Sequence, residues 1–343
     1  MMGDGLRSPV TQPNTQPNWS VTPPVRVGLV GTGYVATRRA EALIEDDRAH
    51  LVAVTGHDRE KTEAFCKTHG AYPLETWQQL VGEPTLDVVT ISGINCDRGK
   101  IVRSALEAGK HVITEYPLSL DPAEAAALIE LAKARGKFLH VEHIELLGGL
   151  HSSMRQVLPE IGTVFYARYV TLAPQRPAKR RWTYHRDLFG FPLSAALSRI
   201  HRFTDLFGTV EAVNCRSRFW DTTDGYYSAC LCAAQLKFKG GLIAEITYGK
   251  GETVWTKERT FELHGDGGTL VFKGETGMLV RGEEKTPIEF EGRRGLLKKD
   301  MRMAIDSVLE GTPMYVSPEA SLYALQVADA ARISSETGQV HQL

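Results

Sequence analysis

The sequence predicts two folded parts. Residues 25–147 read as an α/β domain on a doubly wound parallel sheet, and 148–343 as an α+β domain with a large, mainly antiparallel sheet. Three observations carry this. An apolar run, VRVGLV, passes into a glycine turn that opens a helix. Further apolar runs at 51–54, 87–92 and 111–114 alternate with helical patterns, as parallel strands joined by crossovers require. Beyond Gly148 and Gly149 the pattern changes to long alternating segments. At 343 residues the chain exceeds the usual single domain.

Residues 1–24 are rich in Pro, Thr, Asn, Gln and Gly, with almost nothing to bury, and are expected to form a disordered leader. At the glycine turn, Gly31, Gly33 and Ala36 make a GxGxxA pattern. The first glycine permits the tight turn, the second lets backbone approach a pyrophosphate, and the small third residue lets helix and strand pack closely. Thr32, Tyr34 and Val35 complete the turn and the helix start, whose free N–H groups suit phosphate oxygens. A Rossmann domain that holds a dinucleotide follows.

After the second strand, a site preferring NAD would place a carboxylate on the adenosine ribose, and this chain has Gly56 there. His57, Arg59 and Lys61, with Arg38 or Arg39, could instead meet a 2′-phosphate, so NADPH is expected and NADH remains possible. The alternative is an ordinary solvated helix start capped by Asp58. The third strand ends at Ser92, Gly93, Ile94 and Asn95, the fourth at Glu115, Tyr116, Pro117 and Leu118. Both ends fall on the carboxyl edge of the sheet, where ligands bind, so these turns should flank the nicotinamide. A helix over 121–137, capped by Asp121 and Pro122, leads to a last apolar strand at 138–147. That segment carries His140, Glu142, His143 and Glu145, but in no spacing that suits a metal site.

In the second part, strands are expected at 164–172, 210–220, 230–238, 242–248, 259–265 and 269–274. Gly240 with Gly241, and Asp266 with Gly267, sit at hairpin turns. Helices at 192–207, 296–310 and 317–334 should cover one face and leave the other to wall a substrate cleft. Between the first strand and its helix, Arg176, Lys179, Arg180, Arg181 and Arg186 interleave with Trp182, Tyr184 and His185. Nucleic-acid loops have this composition, as do merely solvated basic loops; a third reading is a holder for a flat conjugated substrate with carboxylate arms. The next helix places Arg199 and Arg202 on one face, with Asp205 one turn on; they point to solvent or into the cleft.

A net charge of −1 argues against a nucleic-acid protein. The five cysteines are scattered without metal-ligand spacing and read as reduced thiols; Cys230 and Cys232 should share one face of a strand as packing residues. No run approaches membrane-spanning length. A cytoplasmic protein, monomeric or a weak homodimer, is expected.

VGTGYVATRRAEAL, the turn at Asn95, AGKHVITEYPLSL and the large carboxy-terminal sheet together resemble the glucose-fructose oxidoreductase, inositol dehydrogenase and rhizopine-catabolism (Gfo/Idh/MocA) family from Val25 to the end. Members acting on sugars carry Glu-Lys-Pro where this chain has Glu115-Tyr116-Pro117. They also carry an Asp and a His on the substrate-domain helix, where this chain reads Ser198 to Arg202. Arg98 stands where a histidine is frequent. EYPL, FLHVEHIELLGG, IGTVFYARY, RRWTYH, GFPLSAALSRIHRFTDLFGTV, YGKGE, LHGDGGTL and EASLYALQVAD are similar to one branch, the biliverdin reductases of cyanobacterial type.

That resemblance implies reduction of biliverdin to bilirubin at the central methine bridge, with Arg199 meeting the developing charge. Tyr116 and Glu115 would line the nicotinamide side. Arg181, Trp182, Tyr184, Arg202 and His143 are further substrate candidates. The competing readings are a sugar or cyclitol dehydrogenase and a non-catalytic sensor binding both dinucleotide and tetrapyrrole.

Overall fold

The computed structural model describes Trp19 and residues 21–343. From the amino end the elements run β1 (Val25–Val30), α1 (Tyr34–Ile44), β2 (Ala49–Thr55), α2 (Arg59–His69), β3 (Tyr72–Leu74), α3 (Trp77–Gly82), β4 (Val88–Ile91), α4 (Asn95–Glu107), β5 (His111–Glu115), α5 (Pro122–Ala134) and β6 (Leu139–Glu142). Short helices α6 (Ile144–Leu147) and α7 (Gly149–Val157) lead to β7 (Val164–Pro174), followed by α8 (Arg186–Phe189), α9 (Pro192–Ala195) and α10 (Ser198–Phe207). Then come β8 (Val210–Trp220), β9 (Ala229–Phe238), β10 (Ile243–Gly251), β11 (Glu258–Gly265), β12 (Gly268–Lys273), β13 (Thr276–Arg281) and β14 (Glu284–Ile288). The chain closes with α11 (Leu296–Glu310), α12 (Pro318–Thr337) and β15 (His341–Gln342).

The chain divides into two compact units. One holds the described residues through Ile144 together with Arg294–Leu322; the other holds Glu145–Arg293 and Tyr323–Leu343. In the first unit six parallel strands lie in the order β3-β2-β1-β4-β5-β6, with the order reversing between β1 and β4. Ligands of such sheets bind at that reversal, outside the carboxyl ends of the strands. The second unit carries nine strands in the order β14-β13-β12-β11-β7-β10-β9-β8-β15. Its hairpins turn at the two expected glycine sites, but β7 pairs β10 in parallel, so the sheet is mixed. The segment joining β7 to β8 carries α8–α10 and lets β7 enter between β10 and β11 instead of beside β8.

Three expectations change. The run at 138–147 is a strand for only four residues; at Ile144 it turns into α6, because Glu142 Oε1 accepts the Ile144 N–H at 2.6 Å. The helix at 192–207 is two helices, α9 and α10. Helix α11 belongs to the first unit: Met301, Ala304, Ile305 and Val308 recur at helical spacing and close the core over α1. An amphipathic stripe states that a face is buried but not which core buries it. The leader at 1–18 and 20 lies outside the described residues. Trp19, half-buried, packs edge-on to His111 (5.4 Å) and Phe138 (5.9 Å).

Arg39, expected to be available to a 2′-phosphate, has no exposure at all. Its guanidinium pairs with Glu115 at 2.7 Å and with Asp300 at 3.0 Å, joining α1, the end of β5 and α11. Asp300 also meets His140 Nε2 at 2.7 Å and the Tyr315 hydroxyl at 2.8 Å. Burial alone would raise the Asp300 carboxyl, yet the His140 and Arg39 charges hold it down at about 2. Removing one partner of a buried pair costs far more than the pair contributes, because the other charge is stranded.

Arg39→Met is therefore expected to lower unfolding free energy by about 3–5 kcal/mol in urea titrations at neutral pH. Because the folded-state Asp300 value lies below the ordinary 3.8, its contribution is present above that value and is lost as pH falls toward 2.

Candidate active site

On the first unit, β1 ends in Gly31 at φ +117°, and a Cβ there would lie 2.6 Å from the Ser92 carbonyl oxygen. Only glycine meets both demands. At Gly33 a Cβ would meet nothing within 4 Å, so the backbone faces open space. Gly33 caps α1 without a side-chain hydrogen bond, leaving the N–H groups of the first turn for a ligand. Ala36 is buried against the sheet, Thr32 packs beside Gly56, and Val35 is half-buried beside the 73 % exposed Tyr34. Across the reversal, the Ser92 hydroxyl is buried and has no hydrogen-bond partner among the described residues. An open glycine, an uncapped helix and an unsatisfied hydroxyl at one strand edge fit a dinucleotide.

At the end of β2, Asp58 caps α2 by accepting the Lys61 N–H at 3.0 Å. His57 is exposed, and Arg59 is exposed with ion pairs to Glu63 (2.9 Å) and Glu75 (3.8 Å). Such surface pairs are weak enough for an incoming phosphate to displace. Arg38 pairs with Glu41 at 2.7 Å, and Lys61 with Asp58 at 3.0 Å.

At the edge expected to flank the nicotinamide, Arg98, noted in the sequence as standing where a histidine is frequent, has a structural part. Arg98, fully buried near the start of α4, donates to the Pro117 carbonyl at 2.7 Å and the Gly93 carbonyl at 3.1 Å. It therefore clamps together the two turns expected to flank the nicotinamide. Burial pushes its guanidinium down to about 10, still charged at neutral pH. Asn95 is buried at the start of α4. Glu115 sits opposite Glu142 on the neighbouring strand. Burial, then the Glu115 charge, pushes the Glu142 carboxyl well above its ordinary range, so Glu142 is the protonated member and hydrogen-bonds Glu115. Tyr116 stacks on His143 with centroids 4.8 Å apart and planes 14° from parallel. His143 itself has no exposure, and its Nε2 meets Ser321 at 2.8 Å. As a direct substrate contact His143 is ruled out; it supports the Tyr116 ring instead.

On the second unit, Arg199 at the start of α10 is half-buried, its guanidinium 5.2 Å from the Tyr248 ring centroid and donating to Ser198 at 3.1 Å. Arg202 is not a substrate contact: it is buried and donates to Glu145 at 2.5 Å. Glu145 also receives Arg259 at 3.0 Å and Arg293. Burial would raise the Glu145 carboxyl, but Arg202, Arg293 and Arg259 hold it at about 2. One carboxylate thus serves three arginines beside Arg199, and this end of the sheet is net positive. The Tyr169 hydroxyl, though buried, is shifted down by Arg199, Arg202 and Arg259.

In the basic loop Arg181 is exposed, and Trp182 is half-buried against Phe189 at 6.0 Å. Tyr184 does not offer a stacking face; it is 4 % exposed and packs on Tyr227 at 5.6 Å. Arg176, Arg180 and Arg186 lie over Trp255, Tyr226 and Phe219 at 3.6, 4.4 and 4.1 Å, so three of the loop's five cations rest on the protein's own rings. A cavity of about 340 Å³ lies beside the loop, lined by Lys179, Arg180, Tyr226 and Glu252 among others.

Sequence reasoning missed Lys250. It shares the helix-covered face of β10 with Ala244, Ile246 and Tyr248, and a lysine at that period was the available signal. Cys230 and Cys232 are both buried on one face of β9, and all five cysteines are free. Among the described residues no cluster of His, Cys, Asp and Glu could hold a metal, and no helix is long and apolar enough to cross a membrane.

Two family models match. One, described as oxidoreductase family, NAD-binding Rossmann fold, covers residues 25–143; the other, the same family's C-terminal alpha/beta domain, covers 156–343. Among solved structures, biliverdin reductase from Synechocystis sp. PCC 6803, in complex with biliverdin and NADP+, is 53 % identical with a TM-score of 0.90. That match spans 91 % of this chain and 99 % of the other. Human biliverdin reductase A is 31 % identical over 137 residues, 40 % of this chain and 43 % of the relative. The dTDP-3,4-didehydro-2,6-dideoxy-alpha-D-glucose 3-reductase of Saccharopolyspora spinosa is 31 % identical over 142 residues, again 40 % and 43 %. The chain thus spans less than half the length of these two curated relatives.

If Arg98 sets the spacing of the two turns, Arg98→Met should weaken dinucleotide binding by about tenfold, the equivalent of 1.4 kcal/mol, with a smaller loss for Arg98→Lys. Calorimetric titration with NADP+ reads this; equal affinity in all three proteins would remove the positioning role.

Proposed function

The chain belongs to the Gfo/Idh/MocA oxidoreductase family, and from that premise we propose that it is an NADPH-dependent biliverdin reductase of the cytoplasm. The observation that carries this is the 53 % identity over nearly the whole of a biliverdin reductase whose structure holds both biliverdin and NADP+. Supporting it, the acid–base lysine of the sugar-directed members is replaced by Tyr116, as a substrate without a carbinol allows.

NADPH, when bound, supplies a hydride to the central methine carbon of the pigment. Gly31, Thr32, Gly33, Tyr34 and Val35 would hold its pyrophosphate, His57 and Arg59 its 2′-phosphate, and Ser92, Asn95 and Glu115 its nicotinamide ribose. Arg39 pairs with Glu115 at 2.7 Å and fixes its carboxylate at the end of the strand, while burial pushes the neighbouring Glu142 carboxyl up. Tyr116, braced by His143, would offer a fixed aromatic surface.

Addition of hydride leaves negative charge on the adjoining pyrrole, which is quenched by a proton at nitrogen. Arg199 would stabilise that charge in place. A fixed guanidinium interacts more strongly with the charge that develops on the pyrrole in the transition state than with the neutral ring system of the starting pigment. Its high pKa makes it a poor acid, so the proton comes by way of water held at the guanidinium. Arg181 would hold a propionate at the loop surface, with Trp182 packed beside it.

Mixing the purified protein with biliverdin and NADPH should convert the absorbance of biliverdin to that of bilirubin. Tight binding without conversion would mark a sensor, and polyol oxidation instead would mark a sugar enzyme. Arg199→Lys should lower kcat by about 10²–10³, as loss of a preorganised stabiliser does, and Tyr116→Phe by less than about tenfold.

A further inference from the structure

Lys250 is 7 % exposed, and among the described residues it reaches no carboxylate. Its ammonium donates to the Thr183 carbonyl and lies over Phe189, Tyr184 and Tyr227, with ring centroids at 3.6, 4.7 and 5.6 Å. The charged and titratable groups that face it are Cys230, its register partner on β9, Arg181 and Tyr184 from the loop, Arg199 from α10, and Tyr227. None is an acid. Two hydroxyls nearby are also buried without a hydrogen-bond partner among the described residues: that of Thr171 on β7, the register partner of Tyr248, and that of Thr183, whose carbonyl holds the ammonium.

A buried cation without a counter-charge is costly, and the contrast with Glu145, which serves three arginines on the same unit, is direct. We propose that Lys250, with Arg181 and Arg199, forms a subsite for a carboxylate of the ligand, so that one propionate arm of the pigment supplies the missing counter-charge. The identity of the arm rests on the biliverdin reading; the anion subsite does not. In the free protein, burial first and then Arg181 and Arg199 push the ammonium down to about 8. A bound carboxylate raises it again. Binding therefore takes up a proton above pH 8: affinity is full below that value and falls as pH rises through it.

The test is the dissociation constant of biliverdin, and of its dimethyl ester, for the holoprotein with NADP+ between pH 7 and about pH 9.5, read by absorbance. For wild type the diacid should weaken by up to about tenfold per unit above pH 8, and the diester should not. Lys250→Met should weaken the diacid about tenfold at pH 7 and leave its affinity flat with pH. A diacid affinity that is flat in wild type, or that falls equally for diester or for Lys250→Met, overturns the subsite. Because the wild-type comparison of diacid and diester needs no variant, poor folding of Lys250→Met does not spoil the result. Failure to turn over biliverdin while the pH-dependent binding persists would sink the reductase assignment and leave the subsite standing.

Discussion

Arg39 lies without exposure between Glu115 and Asp300, and much of the first unit's functional edge follows from that pairing. The arginine comes from the helix that the glycine turn opens, Glu115 from the carboxyl end of β5, and Asp300 from a helix some two hundred and sixty residues later in the chain. Asp300 in turn receives the Tyr315 hydroxyl, and that oxygen accepts the backbone N–H of His143, whose ring carries Tyr116. A continuous set of polar contacts therefore runs from the nucleotide-binding helix to the aromatic ring at the strand edge. Each buried side chain in it makes at least one of these contacts, which favours one arrangement over several.

The second unit applies the same rule unevenly. Glu145 is overcommitted to Arg202, Arg259 and Arg293, so these arginines are structural and at the same time leave a positive surplus. Arg199, one turn from Arg202 on α10, lies over Tyr248 and adds to it. Lys250, two residues further along β10, has only a carbonyl and three rings. Charge that the fold has not neutralised marks where a negatively charged ligand would complete it.

Membership of a family whose relatives include sugar reductases and biliverdin reductases shows how one scaffold changes substrate. The nucleotide half keeps its glycine turn and carboxyl-edge carboxylate. What differs is one aromatic residue in place of an acid–base lysine, and an arginine-bearing helix in place of one carrying aspartate and histidine. A conjugated pigment asks for flat surfaces and fixed positive charge; a carbinol asks for proton exchange at oxygen.

Read from the sequence alone, both sheets, the glycine turn, the carboxyl-edge turns at Asn95 and Glu115, and the cationic stretch from Arg176 to Arg202 were all legible. Periodicity and glycine spacing act over a few residues, and these features are local in that sense. Tertiary structure decided the rest: that α11 covers the first core, that β7 pairs β10 in parallel, and that Arg39, Arg202, His143 and Tyr184 are interior groups. It alone singled out Lys250, and it gave Arg98 its part in joining two turns. Whether a charged side chain serves a ligand or the fold depends on which carboxylate or carbonyl, far away in the chain, arrives beside it. No local pattern contains that information.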